Sequence, residues 1–90
     1  MATLFKVDGT EAEVQPEGKK FKRLQMKALI DCEWIEIIHC GNQLMVINEE
    51  GKFANNAVIN QKATEIAKPY LFDGDYIVGN ALVCKNGEIH

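Results

Sequence analysis

The groups with reactive or metal-binding chemistry in this 90-residue sequence are three cysteines, two histidines and a scatter of carboxylates. Cys40 beside His39 has the composition of a thiol–imidazole dyad, in which the imidazole takes the thiol proton and frees a nucleophilic thiolate. Consecutive residues on a strand point to opposite faces, so the two side chains cannot share a proton there; the plainer reading is a buried or turn Cys40 beside an exposed His39. Cys32, Cys40 and Cys84 are an odd set with no C-x-x-C spacing, which argues against a disulfide framework or a zinc finger and for reduced thiols in a cytosol. Glu49, Glu50, Asp73 and Asp75 could pair for general acid–base work, but acidic residues in turns mostly serve turn chemistry and solubility. The chain has no serine, which removes serine hydrolases, and one arginine, which leaves little for a bidentate phosphate clamp. Gly18-Lys19-Lys20 lacks the earlier glycine and the following hydroxyl residue of a phosphate loop. The expectation is a protein that is not an enzyme, with no metal and no cofactor.

Binding residues are easier to nominate than catalytic ones. Amides donate and accept, as a nucleotide or other small polar ligand requires, and Asn48, Asn60 and Asp75 are the candidate ligand-binding residues, with Asn55, Asn56 and Asn80 as companions. Capping and turn formation explain most of these positions more simply. Five of the ten basic residues, Lys19, Lys20, Lys22, Arg23 and Lys27, fall within nine positions. Lys20, Arg23 and Lys27 are candidate partner contacts, gripping an acidic protein or, less readily in a chain of net charge -3, a phosphate backbone. The competing reading is a solvated helix face, and Phe21, the aromatic among them, is expected in the buried stripe. Trp34 is either a partner or dimer anchor or plain core.

The elements that must position these residues follow from periodicity. Thr3 to Val7 and Glu11 to Gln15 read as a hairpin about Asp8-Gly9. Lys19 to Ile30 reads as an amphipathic helix, with Phe21, Leu24, Ala28 and Leu29 inward and Lys19, Lys20, Arg23 and Lys27 outward. Glu33 to His39 and Gln43 to Ile47 form strands about Gly41-Asn42, with Ile35 and Ile37 on one face and Trp34, Glu36 and Ile38 on the other, so the sheet is expected to be covered on both sides. Asn48-Glu49-Glu50-Gly51 reads as a turn with a left-handed bulge glycine, leading into a short strand at Lys52-Phe53. Ala54 to Ile59 is a loop, and Asn60 caps a helix whose stripe is Ala63, Ile66 and Ala67 and which Pro69 ends at Lys68. Phe72-Asp73-Gly74-Asp75 turns into a last strand, Tyr76 to Val83, carrying Gly79, and Asn86-Gly87 allows a final hairpin.

Ninety residues, 47% hydrophobic and 26% charged, fit one domain over 1–90 with one modest core. The expected class is α+β, a small mainly antiparallel sheet of about five to six strands with two helices. The amino terminus lacks the unbroken apolar stretch of a secretory signal, and no run approaches the roughly 18 apolar residues of a membrane span, so a cytoplasmic protein without membrane contact is expected.

At Ile35-Glu36-Ile37, Met45-Val46-x-Asn48-Glu49-Glu50-Gly51-Lys52, Asn60-x-x-Ala63-Thr64 and Asp75-x-Ile77-Val78-Gly79-x-x-Leu82-Val83 the chain resembles a family of short phage and mobile-element proteins catalogued only as a domain of unknown function. The order and spacing of these pieces across roughly residues 21 to 84 carry the resemblance. It implies a small α/β domain from a bacteriophage, a plasmid or its bacterial host, and no established activity. Similar members often carry a glycine pair before the Ile-Glu-Ile strand, where this chain has Cys32-Glu33. The expected function is that of a non-enzymatic accessory protein binding a host or phage protein, or itself. The alternatives are a module that sequesters a small ligand or nucleotide, and RNA or DNA binding through the basic helix.

Overall fold

In a computed structural model that describes residues 2–53 and 57–89, five strands form one antiparallel sheet. They are β1 (Ala2–Phe5), β2 (Glu11–Val14), β3 (Ile35–Cys40), β4 (Gln43–Asn48) and β5 (Ala81–Lys85), in the spatial order β2-β1-β5-β4-β3. Two helices, α1 (Arg23–Ile30) and α2 (Gln61–Ala67), complete a small α+β fold of the expected class. The last strand is the central one, and its Ala81, Leu82, Val83 and Cys84 are all buried, as a strand covered on both faces requires.

The alternation of β4 and β5 divides the interior into two layers. Leu44, Val46, Leu82 and Cys84 pack with Met26 and Ile30 of α1, while Met45, Ile47, Ala81 and Val83 pack with Ala63 and Ala67 of α2. Burial of each large apolar side chain here contributes about 1.5–3 kcal/mol. The small alanines let α2 lie close to the sheet, and Asn60 holds its N-terminus, its side-chain oxygen accepting from the Ala63 N–H at 3.1 Å.

Several local expectations need correction. The first helix starts at Arg23 rather than Lys19, because Phe21 bridges Ile89 and its N–H donates to the Glu88 carbonyl at 2.6 Å, which leaves Lys22 extended. Its inward face is Met26 and Ile30, with Leu29 partly buried against the same cluster as expected; Phe21 is buried but precedes the helix, Leu24 is 79% exposed and Ala28 is also exposed. The phase is set by this four-residue pair and by Gln25, whose amide donates to the Gln15 carbonyl and accepts from the Glu17 N–H. Gly51 is not left-handed. It opens a 3-10 turn, Gly51–Phe53, where a third meander strand was expected, and a Cβ there would meet the Val78 carbonyl oxygen at 3.2 Å.

Lys68 is helical despite preceding Pro69, since the chain tightens into a 3-10 turn over Lys68–Tyr70 that needs no N–H from the proline. The last strand begins at Ala81, not Tyr76: Gly79 takes φ 82° and its N–H donates to Val58, so segment 76–80 pairs with 58–60 instead of with the sheet. Asp8-Gly9 and Gly41 turn the chain as expected, with positive φ at each glycine. Gly87 also has a positive φ, but in place of the expected final hairpin Ile89 bridges Phe21 in parallel. The expected loop at Asn55-Asn56 lies outside the described residues. No described helix is long and apolar enough to cross a membrane.

Candidate functional site

Segment 70–78 runs outside the sheet, and it shares with β3 and β4 a cleft of about 350 Å³ in the α2 layer. Ile38, Ile47 and Ile77 give it apolar lining; Tyr70, Phe72 and Tyr76 supply rings; Glu36, Asn48, Glu49, Lys52 and Asp75 supply its polar groups. Phe72 is 90% exposed and Tyr70 51%, so both present apolar ring surface to water. The turn that presents them closes through an Asp75 N–H donation to the Phe72 carbonyl at 3.0 Å, with Gly74 at φ 82°.

Lys52 shows what this lining holds. Its ammonium pairs with the Asp75 carboxylate and lies 4.7 Å from the centroid of the Tyr76 ring. The Lys52 hydrogen bond and the Tyr76 N–H, which donates to Asp75 at 2.8 Å, together hold the Asp75 carboxyl below its ordinary range. A general acid would need the opposite shift. Asn48 uses its side-chain oxygen to accept the Glu50 N–H at 3.0 Å, and its amide NH₂ has no partner among the described residues. Glu36 and Glu49 likewise have no side-chain partner among the described residues. With three carboxylates against one ammonium, the cleft carries a formal excess of two negative charges.

The structure thus brings Asn48 and Asp75 together and leaves Asn60 elsewhere. Asn60 is 1% exposed; its NH₂ donates to the carbonyls of Phe5 and Gly79, both at 2.9 Å, and its backbone N–H donates to Ile77 at 2.8 Å. Thr64 completes the knot, its hydroxyl donating to the Asn60 carbonyl and accepting the Ile77 N–H. The amide of Asn60 is committed to joining α2, β1 and segment 76–80.

The basic residues do not form one face. Lys20 lies in the irregular stretch before α1, beside a second groove of about 320 Å³ that it shares with Glu17, Lys22 and Leu24. Arg23 is exposed on the first turn of α1, and Lys27 is half-buried near its last turn. Trp34 is 55% exposed just before β3, so it is not core; its carbonyl accepts from the Glu49 N–H and from the Cys32 thiol. His39 is exposed and Cys40 buried, on opposite faces of β3. Burial pushes all three thiols up, Cys84 to about 11 with Glu88 adding to the effect, so they stay protonated near neutral pH.

Sequence reasoning missed Tyr70, Phe72, Tyr76, Lys52 and Glu36 as cleft residues. The available signal was three rings flanking an Asp-Gly-Asp turn, Tyr70-x-Phe72-Asp73-Gly74-Asp75-Tyr76, where turn chemistry alone needs none.

Residues 4–89 match the family described as Domain of unknown function (DUF3846), and the chain belongs to it. No curated protein and no solved structure matches the chain.

Proposed function

We propose that this DUF3846 protein is a non-enzymatic accessory protein of a phage or mobile element, and that it binds a partner protein through the acidic, ring-lined cleft. The observation that carries this reading is the pairing of exposed rings at Tyr70 and Phe72 with the unpartnered carboxylates of Glu36 and Glu49. Rings held in water are a reservoir of interface energy, because a partner that covers them gains apolar burial while its cations meet the carboxylates. The protonated thiols and the lowered Asp75 carboxyl also favour binding over chemistry. Three free cysteines fit a reducing compartment such as the cytoplasm.

The same rings could stack on a base, and this keeps a nucleotide as the competing occupant. Against it, the lining's excess negative charge repels phosphate, and its lysine is already paired with Asp75. Capture experiments on host lysate with the wild-type protein and with a Tyr70→Ala/Phe72→Ala double variant test the proposal. The expected result is a protein retained by the wild type and lost by the variant. A thermal shift with a nucleotide that the double variant abolishes, with no protein captured, would transfer the cleft to the nucleotide reading.

A further inference from the structure

The two edges of the sheet are built differently. On β2, Glu11 and Glu13 are exposed, and Lys62 of α2 reaches across to Glu11 at 2.6 Å. Charges and a covering contact of this kind block the addition of another strand. Six-residue β3 lies at the other edge with no proline, no lysine and no bulge, and it carries Ile35, Ile37 and Ile38. Ile37 is 38% exposed, and Trp34, just before the strand, is 55% exposed.

The register identifies which backbone groups are free. Cys40 pairs with Gln43 across the two-residue turn, and the Glu49 N–H donates to the Trp34 carbonyl at 2.9 Å. In an antiparallel ladder, hydrogen-bonded and non-hydrogen-bonded pairs alternate, so the even-numbered residues 34 to 40 bond toward β4. The N–H and C=O groups of Ile35, Ile37 and His39 therefore point out of the sheet. None of the three makes a backbone or side-chain hydrogen bond elsewhere among the described residues.

We infer that β3 accepts an antiparallel strand from the partner protein, and that this strand carries a basic residue opposite Glu36 with apolar residues opposite Ile35, Ile37 and Ile38. This deepens the proposed cleft binding, on which it rests for the choice of a protein partner, because Glu36 and Ile38 belong to both the edge and the cleft. Side chains opposite Glu36 and Ile38 fall on the cleft side, in non-hydrogen-bonded pairs whose side chains approach most closely. A lysine or arginine there meets the unpartnered Glu36 carboxylate, as Lys52 meets Asp75 across the same cleft. Residues opposite Ile35 and Ile37 fall on the α1 side, where both are apolar. A second copy fits less well: pairing β3 with itself about Ile37 sets the two Glu36 carboxylates diagonally on one face, with no cation between them.

Read in its own direction, the added strand has the order apolar, apolar, basic, apolar. The probe is a capped hexapeptide, Thr-Val-Ile-Lys-Val-Thr, with a Glu-for-Lys version as control. Binding is followed by Trp34 fluorescence and by amide exchange. The expected result is new protection at Ile35, Ile37 and His39 and at least tenfold preference for the Lys peptide. Ile37→Pro removes an outward N–H and no bond to β4, so a folded variant should lose binding at least tenfold. Glu36→Lys leaves the backbone intact and should reverse the preference toward the Glu peptide. Equal binding of the two peptides to the wild type, or protection confined to other strands, overturns the inference. So does a concentration-dependent dimer that protects the same three amides without peptide, because the occupant is then a second copy. If Tyr70→Ala/Phe72→Ala loses a captured protein that Ile37→Pro retains, strand addition falls while the cleft reading stands.

Discussion

Asn60 and the Asn48–Asp75 cleft lie in the same α2 layer, and the same residue chemistry nominates both for ligand binding, yet the fold uses them in opposite ways. At Asn60 every polar atom of the side chain is matched, by Ala63, Phe5 and Gly79, and the residue is 1% exposed. In the cleft the Asn48 NH₂ and the Glu36 and Glu49 carboxylates have no partner among the described residues, and rings stand in water beside them. A satisfied buried group fixes one structure, whereas an unsatisfied exposed one leaves interaction capacity for something else. What an asparagine does is decided by which carbonyls surround it, and those come from distant parts of the chain.

The sharpest consequence concerns stability. Asn60→Ala removes a helix cap and leaves two carbonyls without their donor, which should cost about 3 kcal/mol and lower Tm by roughly 12–24 °C. Denaturant unfolding checks this, and a loss below about 1 kcal/mol would mean that Asn60 does not join α2, β1 and segment 76–80. Asn48→Ala, by contrast, removes one exposed turn bond and should change stability by about 0.5 kcal/mol or less.

Gly51 comes next in size. It sits beneath segment 76–80, the strip that Asn60 ties to α2, and an alanine Cβ would press on the Val78 carbonyl. Gly51→Ala should therefore destabilise by about 1–2 kcal/mol through overpacking, not through a forbidden φ. A calorimetric scan of the variant with no fall in Tm would show that this contact yields freely.

The parts of this molecule legible in the sequence are those decided locally. Asn60 as a cap, the glycine turns, the β3–β4 hairpin and the alanine stripe of α2 each depend on neighbours within a few residues. The first helix is not legible locally because several inward faces fit its apolar residues, and the one realised is selected by a distant segment: Phe21 joins Ile89, and Met26 and Ile30 then meet the sheet. Gly51 is illegible for the same reason, since its need for a bare backbone comes from Val78. The cleft was half legible. Asn48 and Asp75 were nominated by type, but nothing in the spacing shows that Glu36 on β3 and the rings of segment 70–76 converge on them.

The Lys52–Asp75 pair offers a smaller and pH-dependent test. Because the folded state holds the Asp75 pKa down, the pair's stabilisation is present above the ordinary carboxylate pKa of about 3.9 and fades as pH falls through the lowered value. Lys52→Met should move the NMR titration midpoint of Asp75 upward, toward the ordinary range, with little change in stability near pH 7 for so exposed a pair. An unmoved midpoint would assign the shift to the Tyr76 N–H alone.

The smallest expected effect on folding is the most informative about function. Phe72 is 90% exposed, so Phe72→Ser removes almost no buried area and should leave unfolding free energy within about 0.5 kcal/mol of the wild type. If the ring is held out for a partner, the same change should weaken capture of that partner by tenfold or more, since aromatic anchors carry a large share of interface energy. A variant that binds as before would leave Tyr70 and Tyr76 as the working rings and reduce Phe72 to an exposed turn residue. Because Asn60→Ala should do the reverse, unfolding the protein more readily while leaving the cleft's own groups in place, the two variants separate what the α2 layer spends on holding its shape from what it presents to another molecule.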